Sequence, residues 1–337
     1  MAGRSKLWTT LDLDADGKQV GTVNLPHSVT RSAYGVIPIP LAVVKNGDGP
    51  TLFVMAGNHG DEYEGQIVLA DLIRTLDPGA IRGRVIVMPM ANGPAARAGA
   101  RVSPLDGGNL NRAFPGDADG SPTWQIARYI TDALVARCDL FVDLHAGGSS
   151  LSYLPFVSLV LTGEDAVDRR AMAAARAFGA PRIIVWGKAE PDGTSTTPAR
   201  LHRVPKLGGE YGGSGVVSRS GVALVARGVR NTMAHLGILD EAPRRDGEPR
   251  LMEIKDRRYY AYAPCEGIFA PAVDLGDQVT AGTVIGHLHA PEYPARPPVP
   301  VAIGHDGLVL CMRAIGRCEA GDCLVHLATD RDDPIVR

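Results

Sequence analysis

The sequence predicts an α/β fold, because short apolar runs alternate with amphipathic segments of helical period up to about residue 240. The strand-like runs are Thr51–Ala56, 84–90, Leu140–Leu144, 157–161 and Arg182–Trp186, and the helical segments are 64–76, 123–137, 164–178 and 218–236. Ser121 followed by Pro122 is typical of a helix start, since Ser caps and Pro suits the first turn. Strands that alternate with helices favour a sheet covered by helices on both faces.

The pattern changes near residue 250, which indicates two domains. Residues 241–250 are polar, charged and interrupted by Pro, as in a linker. From about residue 251 to 328, short strands with Gly or Pro turns replace the helical period. We therefore expect an α/β domain over residues 1–245 and a small C-terminal all-β domain over residues 251–330. Residues 276–282 resemble a turn of biotinyl/lipoyl-type domains, but no Lys lies at the expected hairpin, which argues against a swinging-arm carrier.

Composition restricts the class of protein. The chain has 337 residues, a net charge of −2 and 21% charged residues, so nothing favours a nucleic acid or an anionic membrane as partner. We expect no secretory leader, and no apolar run approaches the roughly 20 residues of a membrane span. The five cysteines include no Cys-x-x-Cys, which argues against a disulfide framework or a thiolate zinc site. We expect a cytoplasmic protein with reduced thiols, and a homo-oligomer is compatible with the sequence.

His59 and Glu62 directly follow the first predicted strand and form a candidate metal-binding pair. Imidazole nitrogen and carboxylate oxygen suit Zn²⁺ or a similar transition metal. A second His from elsewhere would complete a His₂Glu set with one position open for water, which marks a catalytic metal. For this pair alone, a simpler interpretation is favoured: a Glu in the first helical turn, stabilised by the helix dipole, beside an ordinary loop His.

A second candidate ligand is His145, which ends an apolar strand and is followed by glycines. Strand ends beside loops are where open α/β sheets bind their ligands. Asp143 lies two residues earlier, on the same face of the strand, where its carboxylate could orient a metal-bound imidazole. The alternative is a His at the end of a strand whose ring hydrogen-bonds to the backbone.

The long loop over residues 101–116 holds Arg101, Arg112, Asn109 and Asn111 among glycines and prolines. Arg suits bidentate recognition of a carboxylate, and Asn can add a hydrogen bond. The alternative is a solvated loop in which Asn residues form turns.

Glu210 lies between two pairs of glycines, so neither helix nor strand propensity explains it. Such a carboxylate suits a position close to a reacting group. An ordinary turn is the alternative.

Taken together, these motifs resemble the zinc carboxypeptidase-like aspartoacylase/succinylglutamate desuccinylase family. The shared features, in the same order, are His59-x-x-Glu62, Asn111-Arg112 with Phe114, Asp143-Leu144-His145 and Glu210. The resemblance covers essentially the whole α/β part and extends to the β domain. It implies a mixed sheet of the zinc carboxypeptidase type covered by helices. Residues 45–47, 57–65 and 103–112 are also similar to the deacetylases of ectoine degradation that act on N-acetyl-L-2,4-diaminobutyrate.

The resemblance implies a catalytic role for five of these residues. His59, Glu62 and His145 would hold one Zn²⁺ per chain, and Glu210 would accept a proton from the attacking water and later deliver one to the leaving amine. The metal and Arg101 would stabilise the oxyanion of the tetrahedral intermediate.

Other residues would bind or surround the substrate. The resemblance assigns Asn111 and Arg112 to the α-carboxylate, and Arg200 to substrate binding because it lies ten residues before Glu210. Asp61 and Glu64, which are close in sequence to the candidate ligands His59 and Glu62, are expected to be capping and solvated residues.

The implied function is hydrolysis of the amide of an N-acyl amino acid, most simply Nα-acetyl-L-2,4-diaminobutyrate, with release of acetate. The side-chain amine of that substrate needs an acceptor, for which Glu190 and Asp192 are candidates. The alternatives are a deacylase of N-acetylaspartate or succinylglutamate, a carboxypeptidase, and an inert zinc- or ligand-binding module. The presence of all three ligands and Glu210 argues against the inert module.

Overall fold

The computed structural model describes residues 5–187, 191 and 193–331, so Glu190 and Asp192 lie outside the described residues. The strands, in chain order, are β1 (Trp8–Thr9), β2 (Gly17–Pro26), β3 (Val36–Asn46), β4 (Thr51–Ala56), β5 (Gly83–Met88), β6 (Leu140–Leu144), β7 (Leu151–Tyr153), β8 (Phe156–Val160), β9 (Arg182–Trp186), β10 (Lys206–Glu210), β11 (Arg250–Ile254), β12 (Tyr260–Tyr262), β13 (Gly267–Pro271), β14 (Gln278–Val279), β15 (Val284–His289), β16 (Val299–Ala302), β17 (Gly307–Arg313), β18 (Arg317–Cys318) and β19 (Cys323–Asp330). The α-helices are α1 (Glu64–Thr75), α2 (Gly93–Ala98), α3 (Pro122–Tyr129), α4 (Asp165–Phe178), α5 (Thr196–His202) and α6 (Arg219–His235).

The main sheet is mixed, with the order β1-β2-β3-β5-β4-β6-β10-β8-β9-β11-β19-β17-β14. Its centre is parallel, since β4 pairs in parallel with β5 and β6, and β6 with β10. The pairs β3–β5 and β10–β8 are antiparallel. A second, antiparallel sheet has the order β16-β15-β13-β18. The predicted mixed α/β fold with a C-terminal β unit is confirmed.

Helices cover both faces of the sheet centre. Leu52 and Val54 of β4 belong to a core shared with α1, α4 and α6, whereas Phe53 and Met55 belong to a second core shared with α3 and α5. Since successive residues of a strand point to opposite faces, the two cores lie on opposite sides of the sheet. Every residue of β4 and of β6 is buried, as expected for central parallel strands.

The predicted elements begin and end within a few residues of the observed ones, with one difference in the second helix. There α3 ends at Tyr129, and the chain continues through a π turn at Ile130–Leu134 and a 3₁₀ turn at Val135–Arg137. The Thr131 hydroxyl donates to the Ala127 carbonyl at 2.9 Å, a bond of the kind that competes with regular helix hydrogen bonds.

The N-terminal strands β1 to β3 were not predicted. Pro38 and Pro40 lie within β3, and Pro normally argues against a strand because it lacks an N–H donor. Here both prolines precede the segment of β3 that pairs with β5, which begins at Ala42. At Pro38 and Pro40 the strand therefore has β2 as its neighbour and is locally an edge.

Strands on the two sides of the predicted linker, residues 241–250, pair with each other. β11 pairs in parallel with β9 and antiparallel with β19, so the main sheet extends into the C-terminal strands. The division at residues 245–251 stays a prediction. All five cysteines are free thiols. Among the described residues, no helix has the length and apolar character needed to cross a membrane.

The contact between α4 and α6 predicts a stability effect at Gly228. An ideal Cβ at Gly228 would lie 2.2 Å from ring atoms of Phe178, which is fully buried. We expect Gly228→Ala to lower the free energy of unfolding by about 1–3 kcal/mol, because overpacking outweighs the gain in helix propensity. Urea unfolding measures this. In the control Gly304→Ala, the new Cβ has no atom within 4 Å, and the midpoint should stay unchanged. Equal midpoints for both variants would contradict the prediction.

Candidate active site

The candidate metal ligands meet at the carboxyl ends of two adjacent parallel strands. His59 and Glu62 lie in the turn between β4 and α1, and His145 directly follows β6. Ala56 of β4 is in register with Leu144 of β6, so these residues leave the sheet side by side. The alternative that Glu62 is a first-turn helical residue is wrong, since α1 begins at Glu64.

Glu62 bridges the two imidazoles. Its Oε1 lies 2.6 Å from Nδ1 of His59, and its Oε2 lies 2.8 Å from Nδ1 of His145. All three side chains are buried, and one potential ligand atom from each lies within 4.8 Å of the others. The predicted set is therefore assembled. Two nitrogens and a carboxylate converging on one point form a donor set that Zn²⁺ accepts.

The outer nitrogen of each imidazole has its own partner. Nε2 of His59 lies 3.1 Å from Asn109 Oδ1, and Nε2 of His145 lies 2.8 Å from Asp143 Oδ2. An acceptor at Nε2 favours the tautomer that carries its hydrogen there, which leaves the Nδ1 lone pair directed at the shared point. The orienting contact predicted for Asp143 is present. The role of Asn109 was not predicted, because an Asn in such a loop is also typical of a turn. Its Oδ1 does form a turn contact, since it accepts from Asn111 N at 3.0 Å.

Asp143 is fixed by further donors that were also not predicted. Its Oδ2 accepts from Asn58 Nδ2 at 3.0 Å and from Ser195 Oγ at 2.5 Å, besides the contact with His145. Burial alone would raise the pKa of Asp143, but the charge and hydrogen bond of His145, the charge of Lys206 and the hydrogen bond from Ser195 outweigh burial and lower the pKa to about 2. Asp143 is therefore an ionised acceptor.

The imidazoles differ in their electrostatic surroundings. Burial lowers the pKa of His59. Burial also opposes the charged form of His145, but the carboxylates of Asp143 and Glu62 outweigh it and raise that pKa well above its usual value. A cation held by Glu62 and both rings would take the place of the proton on His145, which is the usual coupling of metal binding to proton release.

Glu210 ends strand β10, next to β6, and its backbone bridges to His145. The alternative of an ordinary turn is wrong. A Cβ at Gly209 would lie 2.2 Å from Tyr211 Oη and 2.6 Å from the Phe156 carbonyl oxygen, so glycine permits a close approach within the strand. Burial and the charge of Glu62 raise the pKa of Glu210 to about 8. A carboxylate with such a pKa can exchange protons near neutral pH.

One cavity of about 470 Å³ joins these groups. The predicted residues that line it are His59, Glu62, Arg101, Asn111, Arg112, His145 and Glu210. Nη1 of Arg101 lies 3.7 Å from Glu62 Oε1. The structure does not bring Arg200 to this cavity. Arg200 lines an adjoining one of about 640 Å³, and its assignment stays a prediction.

The expectation that Asp61 and Glu64 are solvated capping residues is wrong, since both are buried. Asp61 Oδ2 accepts from the backbone N and the Oγ of Ser149, each at 2.8 Å. Glu64 Oε1 accepts from the Ser218 N at 2.8 Å. These hydrogen bonds attach the turn that carries His59 and Glu62 to two neighbouring loops.

Comparison with known proteins decides the family. The sequence profile of the succinylglutamate desuccinylase/aspartoacylase catalytic domain matches residues 48–236, more than half of the chain. The chain belongs to this family. It is an enzyme of the deacylase class, as the motifs predicted.

Several relatives are similar along nearly their whole length. The Nα-acetyl-L-2,4-diaminobutyric acid deacetylase of Halomonas elongata is 38% identical over 325 residues, which is 96% of this chain and 95% of the relative. The product-bound ectoine utilization protein EutE (DoeB) of Ruegeria pomeroyi is 35% identical with a TM-score of 0.94, covering 97% of this chain and 99% of that one. A family member from Rhodobacter sphaeroides is 35% identical with a TM-score of 0.92, covering 97% and 100%.

The partner of His59 generates a test of this site. Asn109→Ala removes the acceptor at Nε2 of His59, so the ring loses its fixed orientation. We expect the affinity for Zn²⁺ to fall roughly 10- to 100-fold, a typical loss when an outer partner of a metal ligand is removed. Competition with a chromogenic chelator measures the affinity. The remote Asn46, whose Nδ2 donates to the Ile81 carbonyl, supplies the control Asn46→Ala. Equal zinc affinity in the two variants would contradict the role of Asn109.

Proposed function

We propose that this family member is a zinc-dependent amidohydrolase that converts Nα-acetyl-L-2,4-diaminobutyrate to diaminobutyrate and acetate. The similarity to the Halomonas elongata deacetylase, which extends over almost all of both chains, supports the substrate. The single observation that carries the reaction is one cavity lined by a His₂Glu set, by Glu210 and by Arg101, Asn111 and Arg112.

In this proposal, His59, Glu62 and His145 hold one Zn²⁺. When bound, the ion supplies a Lewis acid that polarises the scissile carbonyl and acidifies water. The contacts of both imidazoles support this assignment, because each ring turns Nδ1 to Glu62 and Nε2 to another acceptor. Asp143 and Asn109 keep the rings in that orientation.

Glu210 moves the proton. Its carboxylate accepts a proton from the attacking water and delivers one to the leaving amine. Burial and the charge of Glu62 raise its pKa, which favours retention of the proton until it is delivered to the amine. Oε2 of Glu210 makes no hydrogen bond with the described residues, which leaves it for this exchange. Arg101, partly exposed beside Glu62, donates to the oxyanion of the tetrahedral intermediate.

Asn111 and Arg112 bind the α-carboxylate. Asn111 Oδ1 accepts from the Ser195 N at 2.9 Å, which leaves the Nδ2 amide as a donor. Arg112 adds a guanidinium, whose planar donors match a carboxylate.

A second candidate function is deacylation of an N-acyl acidic amino acid such as N-acetylaspartate. The cavity is also lined by Lys206 and Arg257, so its described part holds more cationic than anionic side chains. A substrate with an additional carboxylate would use such an excess.

We also propose that the enzyme works in the cytoplasm. All five cysteines are free thiols, and reduced thiols are typical of that compartment.

Replacing Glu210 tests its role in catalysis separately from metal binding. Glu210→Gln keeps the size of the side chain but cannot carry the proton, so we expect kcat to fall roughly 10²- to 10⁴-fold with zinc content unchanged. Kinetics and metal analysis on the same preparation provide the two measurements. Glu266→Gln, at an exposed site, is the control and should keep wild-type activity. Near-normal turnover of Glu210→Gln would remove Glu210 from its proposed role.

A substrate panel distinguishes the two candidate functions. We expect kcat/KM for Nα-acetyl-L-2,4-diaminobutyrate to exceed that for N-acetylaspartate by roughly tenfold or more, as mismatched polar groups in a closed site reduce transition-state binding. Chelation should abolish acetate release, and Zn²⁺ should restore it. Preference for N-acetylaspartate would support the second candidate. A zinc-loaded protein that releases no acyl group from any member of the panel would refute both.

A further inference from the structure

Lys206 lies on the same face of β10 as Glu210. The side chains at positions 206, 208 and 210 share one side of the strand, since alternate residues point the same way. Lys206 lines the active-site cavity together with Gly208 and Glu210. The strand that carries the general base therefore also brings an ammonium group into the cavity.

Gly208 leaves a gap between two polar groups. An ideal Cβ at this position would lie 3.2 Å from Lys206 Nζ and 3.0 Å from Ser158 Oγ. Ser158 belongs to β8, is in register with Gly208 and also lines the cavity. The ammonium and the hydroxyl thus flank the space that a side chain at 208 would fill.

Among the described residues, the ammonium of Lys206 has no ion pair. Within residues 5–187, 191 and 193–331, Nζ makes no hydrogen bond or salt bridge. Asp143 is near enough for the charge of Lys206 to lower its pKa, and its Oδ1 makes no hydrogen bond with the described residues, but Lys206 Nζ forms no salt bridge with it. A half-buried ammonium that lines a cavity without an ion pair favours an anionic ligand.

We propose that Lys206 Nζ and Ser158 Oγ form, across Gly208, an anion subsite for the α-carboxylate of the N-acyl amino acid. This inference rests on the proposed function and adds Lys206 and Ser158 to Asn111 and Arg112. A carboxylate has about four lone-pair sites, so one oxygen can accept from Lys206 and the other from Arg112.

The distance along the strand suits this assignment. Position 208 lies two residues from Glu210, which corresponds to about 6.6 Å in a strand. In the substrate, the scissile carbonyl and the α-carboxylate are separated by the amide nitrogen and the α-carbon. A substrate whose carbonyl faces Glu210 can therefore extend its α-carboxylate toward the gap at Gly208.

A structural role for Lys206 gives a different expectation. If its charge only compensated Asp143, its loss would disturb His145, lower the affinity for zinc and impair all substrates alike. The subsite instead predicts an effect that depends on the α-carboxylate of the substrate.

The test compares Nα-acetyl-L-2,4-diaminobutyrate with its α-carboxamide. We expect Lys206→Met to raise KM for the acid roughly ten- to hundredfold, the usual effect of losing one charge-assisted hydrogen bond. KM for the carboxamide, kcat and zinc content should change little. Lys206→Arg should recover part of the loss.

Gly208→Ala provides an independent test that keeps the lysine. Its new Cβ occupies the gap between the ammonium and the Ser158 hydroxyl and leaves less room for a carboxylate there, so KM for the acid should rise again. In the Lys206→Met background the same change should add little, because the two substitutions remove one shared interaction. The matched control is Lys255→Met, whose Nζ pairs with Glu253 Oε1 at 2.9 Å and which lines the adjoining cavity. It should leave both KM values unchanged.

Two results would overturn the subsite. One is an equal loss with acid and carboxamide in Lys206→Met, and the other is loss of zinc from that variant. Calorimetric binding of both compounds to Glu210→Gln, with and without Lys206→Met, gives the same comparison without turnover. If the wild type hydrolyses only N-acetylaspartate, the proposed substrate fails, and the comparison is made with N-acetylaspartate and its α-carboxamide.

Discussion

The parallel pairing of β4, β6 and β10 is the constraint on which the site depends. It places the turn with His59 and Glu62, the residue after β6 and the last residue of β10 at one edge of the sheet. The pairing register matters as much as the order, since a slip of one residue would turn Asp143 and His145 to the opposite face. Apolar cores on both faces of β4 and β6 fix that register.

Three carboxylates at this edge, the buried Glu62 and Asp143 and the half-buried Glu210, differ in their protonation because their partners differ. Burial opposes ionisation of all of them, but Glu62 contacts two imidazoles and Asp143 has donors on Asn58, Ser195 and His145, so their pKa values fall. Glu210 has no comparable donors among the described residues and carries the additional repulsion of Glu62, so its pKa rises. Environments that move pKa values apart separate the carboxylates proposed to bind or orient from the one proposed to exchange protons.

Patterns of neighbouring residues indicated those site residues whose position follows from the strand or turn that carries them. An apolar strand that ends in a polar side chain made His145 a candidate, and the spacing of His59 and Glu62 made them a candidate pair. Only the motifs taken together favoured a metal site over the simpler interpretation of each one. The roles of Asn109 and Ser195 depend on long-range contacts, since Ser195 meets Asp143 from 52 residues away along the chain. Gly209 suggested a turn because glycine has low strand propensity, yet it serves close contact with Tyr211 and Phe156.

The residues proposed for catalysis and the aromatic residues of the cavity wall come from different parts of the chain. Substitutions in the wall can therefore change which substrate binds without changing the catalytic residues. Tyr260 and Tyr262 of β12 lie on the cavity wall with their rings 6.1 Å apart and nearly parallel, and Trp186 at the end of β9 joins them there. Aromatic faces attract an ammonium without requiring a carboxylate. Among the described lining residues the carboxylates are Glu62 and Glu210, both of which have a proposed role in the reaction. Arg257 lies beside these rings and lines the same cavity, so the wall combines aromatic faces with a guanidinium and its chemistry differs from that of the groups around Glu62.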